Sequence, residues 1–322
     1  MGQQMYLGAD AQGGYFTNPR LSKKLRHALE PLCKFRQFVD TKEAFGKHAG
    51  QTVIFNKISN ISTAGGTLVE TNTMPEHQYS AARGTISLSE WGNAVPFTYK
   101  LDALSEWPVD DPTQHVLRND MVQVLDKACG LQYKLTCRKY VCLTTATGTM
   151  ESRAEGNTFA TSNIAKVGPA VYHLEECVDW LRSHNIPPYN GEDYVGIFSV
   201  NALRTIARDG AFTEAAKYGD PNRLFAGEVG RIAGVRCVRE TNYLANTLGS
   251  SSGTNALGEG IIFGANSVIE GIALPEELRQ KIPTDYGRSK GLAWYALLGW
   301  KKQYKSADSG QDDHAIHITS TK

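Results

Sequence analysis

LVETNTMPEHQYSAARGTISLSEWG, residues 68–92, reads as strand and turn with almost no apolar mass of its own to bury. Upstream, GQTVIFNKI (50–58) alternates Val53 and Phe55 against Thr52 and Asn56. Downstream, GTISLSEWGNAVPFTYKL (84–101) alternates again through Ile86 and Leu88. Two strands therefore flank a polar region of about twenty-five residues, and a loop that long without structure of its own is uncommon in a compact domain. The pattern predicts a projecting hairpin. Fixing roughly fifty such residues costs on the order of 50–100 kcal/mol of backbone entropy, which polar side chains cannot offset within one chain. The missing contact area has to come from outside the subunit.

On the N-terminal side, RLSKKLRHALEPL (20–32) sets Leu21, Leu25, Ala28, Leu29 and Leu32 on one side of a short helix, with Arg20, Lys23, Lys24 and Arg26 elsewhere. This basic segment reads first as a surface helix with a solvated charged face, and second as an arm that meets a partner or nucleic acid. On the C-terminal side, residues 113–142 carry Leu117, Met121, Val124, Ala128, Leu131, Leu135 and Cys142 at near-heptad spacing, with Thr113 placed as a cap. One long helix is expected, a rod of about 45 Å. Gly130 inside it costs roughly 1 kcal/mol against Ala, so packing must override propensity there.

After a Thr/Gly/Ser-rich connection (144–162), residues 168–188 give a second amphipathic helix, opened by Pro169 and stopped by Pro187 and Pro188. YVGIFSV (194–200) is a buried strand, and NALRTIARD (201–209) a short helix with Asn201 as cap. GRIAGVRCVRE (230–240), EGIIFGANSVI (259–269) and GLAWYALLGWKKQY (291–304) each read as a strand, the last as one strand or a strand pair. Between them, residues 244–260 form a Gly/Ser/Asn-rich flexible tip.

Composition excludes several classes. The 322 residues are 41% hydrophobic and 21% charged, which is a globular mixture, and a net charge of +1 gives no global field for nucleic acid. The six cysteines include no CxxC pair and several fall on apolar positions, which favours reduced thiols. No signal-peptide core and no apolar run of membrane-spanning length appears, so a membrane partner is not expected.

No active site persuades. GSSSG (249–253) matches a hydrolase elbow with Ser251 as nucleophile and Asp285 and His314 following, but it lies in a low-complexity loop rather than between a strand and a helix. GTNALGEG (253–260) puts Glu259 where a P-loop needs Lys. The glycines of GEGIIFG (258–264) open a strand, whereas a dinucleotide fingerprint closes one. DDHAIH (312–317) groups Asp312, Asp313, His314 and His317 and is read as a polar tail rather than a metal site. No catalytic residue, cofactor or metal is expected.

The order of arm, hairpin, long helix, mixed α/β region and returning strand resembles the α+β major-capsid fold of tailed bacteriophages, the Hong Kong ninety-seven-type fold. More closely, the chain is similar to the capsid proteins of phage N-four and its relatives. The likeness rests on GQTVIFNKIS, GGTLVETNTMP, TISLSEWGNAVPFT, YVGIFSVNALRTIARD, RLFAGEVGRIAGVRCVRETN, IIFGANSVIEGI and DYGRSKGLAWYALLGWKKQY, in that order over about residues 50–304.

The resemblance implies an N-arm over 1–48, an extended loop over 49–100, a peripheral domain over 101–161 with its spine helix at about 113–142, and an axial domain over 162–283. Residues 284–322 would return to the peripheral domain and end in a tail. It further implies hexameric and pentameric capsomers of the chain itself, a portal protein, decoration proteins and packaged double-stranded DNA held by non-specific contact. The virion, assembled in the host bacterial cytoplasm, would be its location. Inter-subunit contact is expected at Leu68, Glu70, Met74, Arg83 and Trp91, and arm contact at Arg20, Lys23, Lys24 and Arg26. Some members fuse a scaffolding region ahead of the arm; this chain begins almost at the arm, so a separate scaffolding protein is the expectation. No Lys occurs from residue 58 to 99, so no isopeptide crosslink is expected at the loop tip. An encapsulin-type nanocompartment shell is the alternative with the same fold, and a hydrolase using Ser251 the alternative of another class.

Overall fold

The computed structural model describes residues 31–39, 41–44, 50–58, 61, 65–71, 73–153, 167–210, 230–244, 258–283, 285–305 and 312–319. Arg20, Lys23, Lys24, Arg26, Ser251 and most of the Gly/Ser tract lie outside these residues.

Three sheets are present among the described residues. The first runs β1 (Thr41–Ala44), β11 (Val268–Gln280), β12 (Ser289–Lys302), β4 (Ser89–Thr98) in spatial order. The second is seven-stranded, in the order β6 (Thr147–Ser152), β5 (Arg138–Thr144), β13 (Ala315–Thr319), β10 (Gly260–Phe263), β7 (Tyr194–Ser199), β9 (Val235–Glu240), β8 (Arg231–Ile232). The third is a two-stranded ribbon of β2 (Thr52–Ile58) and β3 (Ala81–Ser87). Four helices join them: α1 (Tyr99–Leu104), α2 (Asp110–Lys134), α3 (Val171–Ser183) and α4 (Val200–Ala207).

The long helix α2 is real but shifted. It starts at Asp110, two acidic residues in its first turn suiting the positive end of the helix dipole, and Thr113 sits inside it with its hydroxyl bonded to the Val109 carbonyl. It ends at Lys134, about 37 Å of rod, because Tyr140, Val141 and Cys142 are claimed by strand β5. The buried stripe is Leu117, Leu125, Cys129 and Tyr133, whereas Leu131 faces outward. Gly130 now has its reason: a Cβ there would stand 2.8 Å from the Tyr243 ring and 2.9 Å from the Phe35 ring, which pack across the helix.

One core lies between α2, the four-stranded sheet and one face of the seven-stranded sheet, joining Leu125 and Tyr133 to Trp294, Leu298, Ile197 and Phe263. The other lies on the opposite face, where α3 and α4 cover Tyr194, Phe198, Ile262, Ile316 and Ile318. All six residues of β7 are buried, as a strand covered on both faces must be.

Several expected boundaries move. α3 starts at Val171, not Pro169, and stops at His184 before Asn185 takes the left-handed conformation, so Pro187 and Pro188 lie beyond it. α4 is capped by Ser199, whose hydroxyl accepts from the Ala202 amide, not by Asn201. Residues 230–240 form a hairpin, β8–β9, rather than one strand. The apolar run 259–269 is two strands in different sheets, broken at Gly264 and at Asn266, which adopts φ 55°. The connection 144–162 begins as the hairpin β5–β6. Residues 312–317 are no solvated tail: β13 lies mid-sheet, parallel to β5 and antiparallel to β10. Residues 138–152 and 315–319 thus belong to the same sheet as β7.

Candidate assembly surface

The ribbon β2–β3 pairs Thr52 with Ser87 through Ile58 with Ala81, and its two faces differ. On the inner face, Val53, Ile86 and Leu88 pack on Ile269 of β11, with Phe55 and Ala273 at the margin. Phe55 lies flat across β3 because residue 84 is glycine; a Cβ there would come within 2.2 Å of its ring. Gly299 of β12 permits the seat itself, since a Cβ would stand 2.4 Å from the Ser87 carbonyl oxygen. Lys57 is 6% exposed and points its ammonium at the rings of Phe55 and Tyr304, at 5.9 and 6.0 Å.

The outer face and the tip are largely polar but leave several large apolar side chains open. Ile54, Ile58, Ile61, Val69 and Tyr79 are exposed, as are Leu68 at 60% and Met74 at 72%. The described tip residues between the strands form no regular structure beyond a turn at Glu70 and Thr71. Seven large apolar side chains exposed on one element are more than a subunit that stays alone has reason to present. The ribbon also has both strand edges unpaired within the described chain, which suits backbone pairing to another chain.

Of the sequence-derived contact residues, Leu68, Glu70 and Met74 lie together on the tip, and Arg83 is exposed on β3 opposite Asn56. Trp91 stands apart from them: half-buried on β4, it meets Trp300 edge-on at 5.7 Å and donates from Nε1 to the Leu298 carbonyl at 3.1 Å. A second exposed element was missed by sequence reasoning. The turn between β11 and β12 places Asp285, Tyr286 and Gly287 all at positive φ, with Tyr286 fully exposed and Ile282 beside it in sequence at 83%. Tyr99 and Leu104 are exposed near the same end, where the Tyr99 amide bonds the Arg288 carbonyl. The sequence signal was DYG after Pro283, a turn whose non-glycine residues accept strain to present a side chain.

Among the described residues no cluster of three or more His, Cys, Asp or Glu could hold a metal, and no helix is long and apolar enough to cross a membrane. The cysteines are free, and burial pushes the thiols of Cys33 and Cys237 up to about 12, away from reactive thiolate character.

No protein-family model and no curated protein matches the sequence. Solved structures do match. The capsid of cyanophage P-SCSP1u superposes with a TM-score of 0.68 at 12% identity, covering 95% of this chain and 93% of that one. The head structure of Helicobacter pylori bacteriophage KHP40 gives 0.69 at 15% identity, over 94% and 96%. The capsid of Ralstonia phage GP4 gives 0.62 at 16%, over 94% and 96%. The chain therefore has the α+β fold of these capsid structures, the Hong Kong ninety-seven-type fold expected from the sequence.

Proposed function

We propose that this chain is the major capsid protein of a tailed double-stranded DNA bacteriophage, a structural subunit and not an enzyme, allied to the capsid proteins of phage N-four and its relatives. The observation that carries the reading is the combination of a capsid fold along nearly the whole of both chains with a ribbon whose large apolar side chains stay exposed among the described residues. In this reading the ribbon with its tip is the extended loop, and the sheet built on β11 and β12, with α2 as spine, is the peripheral domain. The seven-stranded sheet, including β5, β6 and β13, is the axial domain.

Copies of the chain join as hexamers and pentamers, the tip of one subunit lying on its neighbour. A separate scaffolding protein guides assembly in the bacterial cytoplasm, a portal protein occupies one vertex, and the shell of the virion, with or without decoration proteins on its outside, encloses DNA through non-specific contacts. The basic arm residues Arg20, Lys23, Lys24 and Arg26 face either that DNA or an acidic neighbour.

Negative-stain microscopy of the expressed chain, with and without a co-expressed scaffold, tests the reading. Shells or capsomer-sized rings are expected; a compact monomer under every condition refutes it. Nucleic acid extracted from purified particles separates a phage head from an encapsulin-type compartment filled with protein. Denaturing gels of the particles should show no covalent ladder from the loop tip, because residues 58–99 contain no Lys.

A further inference from the structure

The DDHAIH stretch, which the assembly surface does not use, brings a buried electrostatic pocket together at the centre of the seven-stranded sheet. Every strand residue from Ala315 to Ile318 is buried. His317 on β13 stands directly beside Lys139 on β5, and the Lys139 ammonium reaches His317 Nδ1 at 3.3 Å and the Lys134 carbonyl at 2.6 Å. An ammonium can only donate, so Nδ1 is the acceptor and the imidazole is neutral, with its proton on Nε2. That nitrogen faces Glu259 Oε1 at 3.9 Å, but both oxygens of Glu259 already receive the Lys134 ammonium at 3.1 and 2.9 Å.

The charged groups around His317 are thus Lys134 from α2, Lys139 from β5 and Glu259 ahead of β10. A second pair lies further along the same strand, Lys302 of β12 with Asp313 at 3.1 Å, both nearly solvent-free. A proton on His317 would convert two cations and one carboxylate into three cations and one carboxylate. It would also set an N–H donor against the Lys139 donor. Burial, reinforced by Lys139 and Lys134, holds the imidazole well below its ordinary range. Burial and the neighbouring lysines likewise pull Lys139 down to about 8.

We propose that His317 makes β13 an acid-operated latch: the docked strand excludes the proton that the undocked strand accepts, so mild acid releases residues 312–319 and parts the seven-stranded sheet between β5 and β10. The geometry that carries this is the burial of one imidazole against the Lys139 ammonium, with Lys134 on the neighbouring Glu259, on a strand whose backbone pairing is to β5 and β10. The device is a property of the single chain and stands whether or not that chain builds a shell.

Hydrogen exchange on the full-length chain at pH 7.5 and 5.0, corrected for intrinsic rates, tests it. An undocked histidine titrating near 6.5 raises the opening constant about thirty-fold over that interval. The β13 amides should lose about that much protection while those of β12 hold theirs. His317→Gln keeps an acceptor for Lys139 without titrating, and its loss should stay below about threefold. Should that variant fail to fold, Lys139→Met removes one of the opposing cations and should shrink the loss below about tenfold. Unchanged β13 protection in the wild type, or a full thirty-fold loss persisting in a folded variant, overturns the proposal.

Discussion

Removing apolar atoms from the hairpin tip should weaken assembly without weakening the fold, and the size of the effect can be worked from exposure. Leu68 and Met74 are 60% and 72% exposed in the subunit, so that fraction of each side chain remains to be buried by a neighbour. Truncating either to Ala removes about three methylene equivalents at about 0.8 kcal/mol each, which scaled by those exposures comes to about 1.5 kcal/mol per residue. The double variant Leu68→Ala/Met74→Ala therefore loses about 3 kcal/mol per tip contact if the two act independently. With one tip donated per subunit, the concentration at which rings or shells first appear should rise about a hundredfold. Sedimentation velocity across a dilution series reads that threshold, and thermal unfolding of dilute protein should shift by less than about 2 °C because neither side chain supports the core. An assembly threshold within twofold of wild type would refute the assignment of the tip as a contact.

Three further outcomes follow from the interior. Asp313→Ala leaves the Lys302 ammonium buried without its carboxylate and strips an acceptor from Thr136, so chemical denaturation should show a loss of about 3–5 kcal/mol. Lys139, depressed to about 8 from its ordinary 10.5, makes the unfolded chain the better proton binder between those values. That group's own contribution to stability should accordingly rise as pH climbs through that window, by at most about 3 kcal/mol. It is read as the difference between wild type and Lys139→Met in a melting series, because the raised thiols of Cys33 and Cys237 act in the opposite direction above about pH 9. Gly299→Ala drives a methyl into the Ser87 carbonyl and should lift the ribbon from its seat at a cost of about 1–3 kcal/mol, seen as faster proteolysis within residues 59–80.

The ribbon was legible in the sequence because alternation on both sides of a polar span has one simple reading, and the fold confirms Val53, Ile86 and Leu88 as the inward set. The long helix was legible in its middle but not at its end. Tyr140, Val141 and Cys142 continue a helix-like spacing, and only pairing with β6 and β13 turns them into strand. The run EGIIFGANSVI concealed a change of sheet because both of its halves are apolar; the break rests on Asn266 entering the left-handed region. β13 was missed for the opposite reason. Two acids and two histidines in six residues read as solvated, whereas Arg138, Lys302, Lys139 and Glu259, distant in sequence, supply the partners that let them go inside. Of the residues expected at a contact, Leu68, Glu70 and Met74 lie on the exposed tip, as a segment with little to bury itself against suggests, whereas Trp91 also packs on Trp300 within its own sheet.

β13 carries one more consequence, for biosynthesis. It is translated after every other strand of its sheet, yet it alone bridges β5–β6 to β10, β7, β9 and β8. Until it emerges, the nascent chain holds two incomplete half-sheets with open, apolar edges. A product truncated before residue 312 could not join them and would expose Ile262 and Phe198 to proteases. The position of a single short strand thus makes the last-synthesised segment the one that unites the seven-stranded sheet.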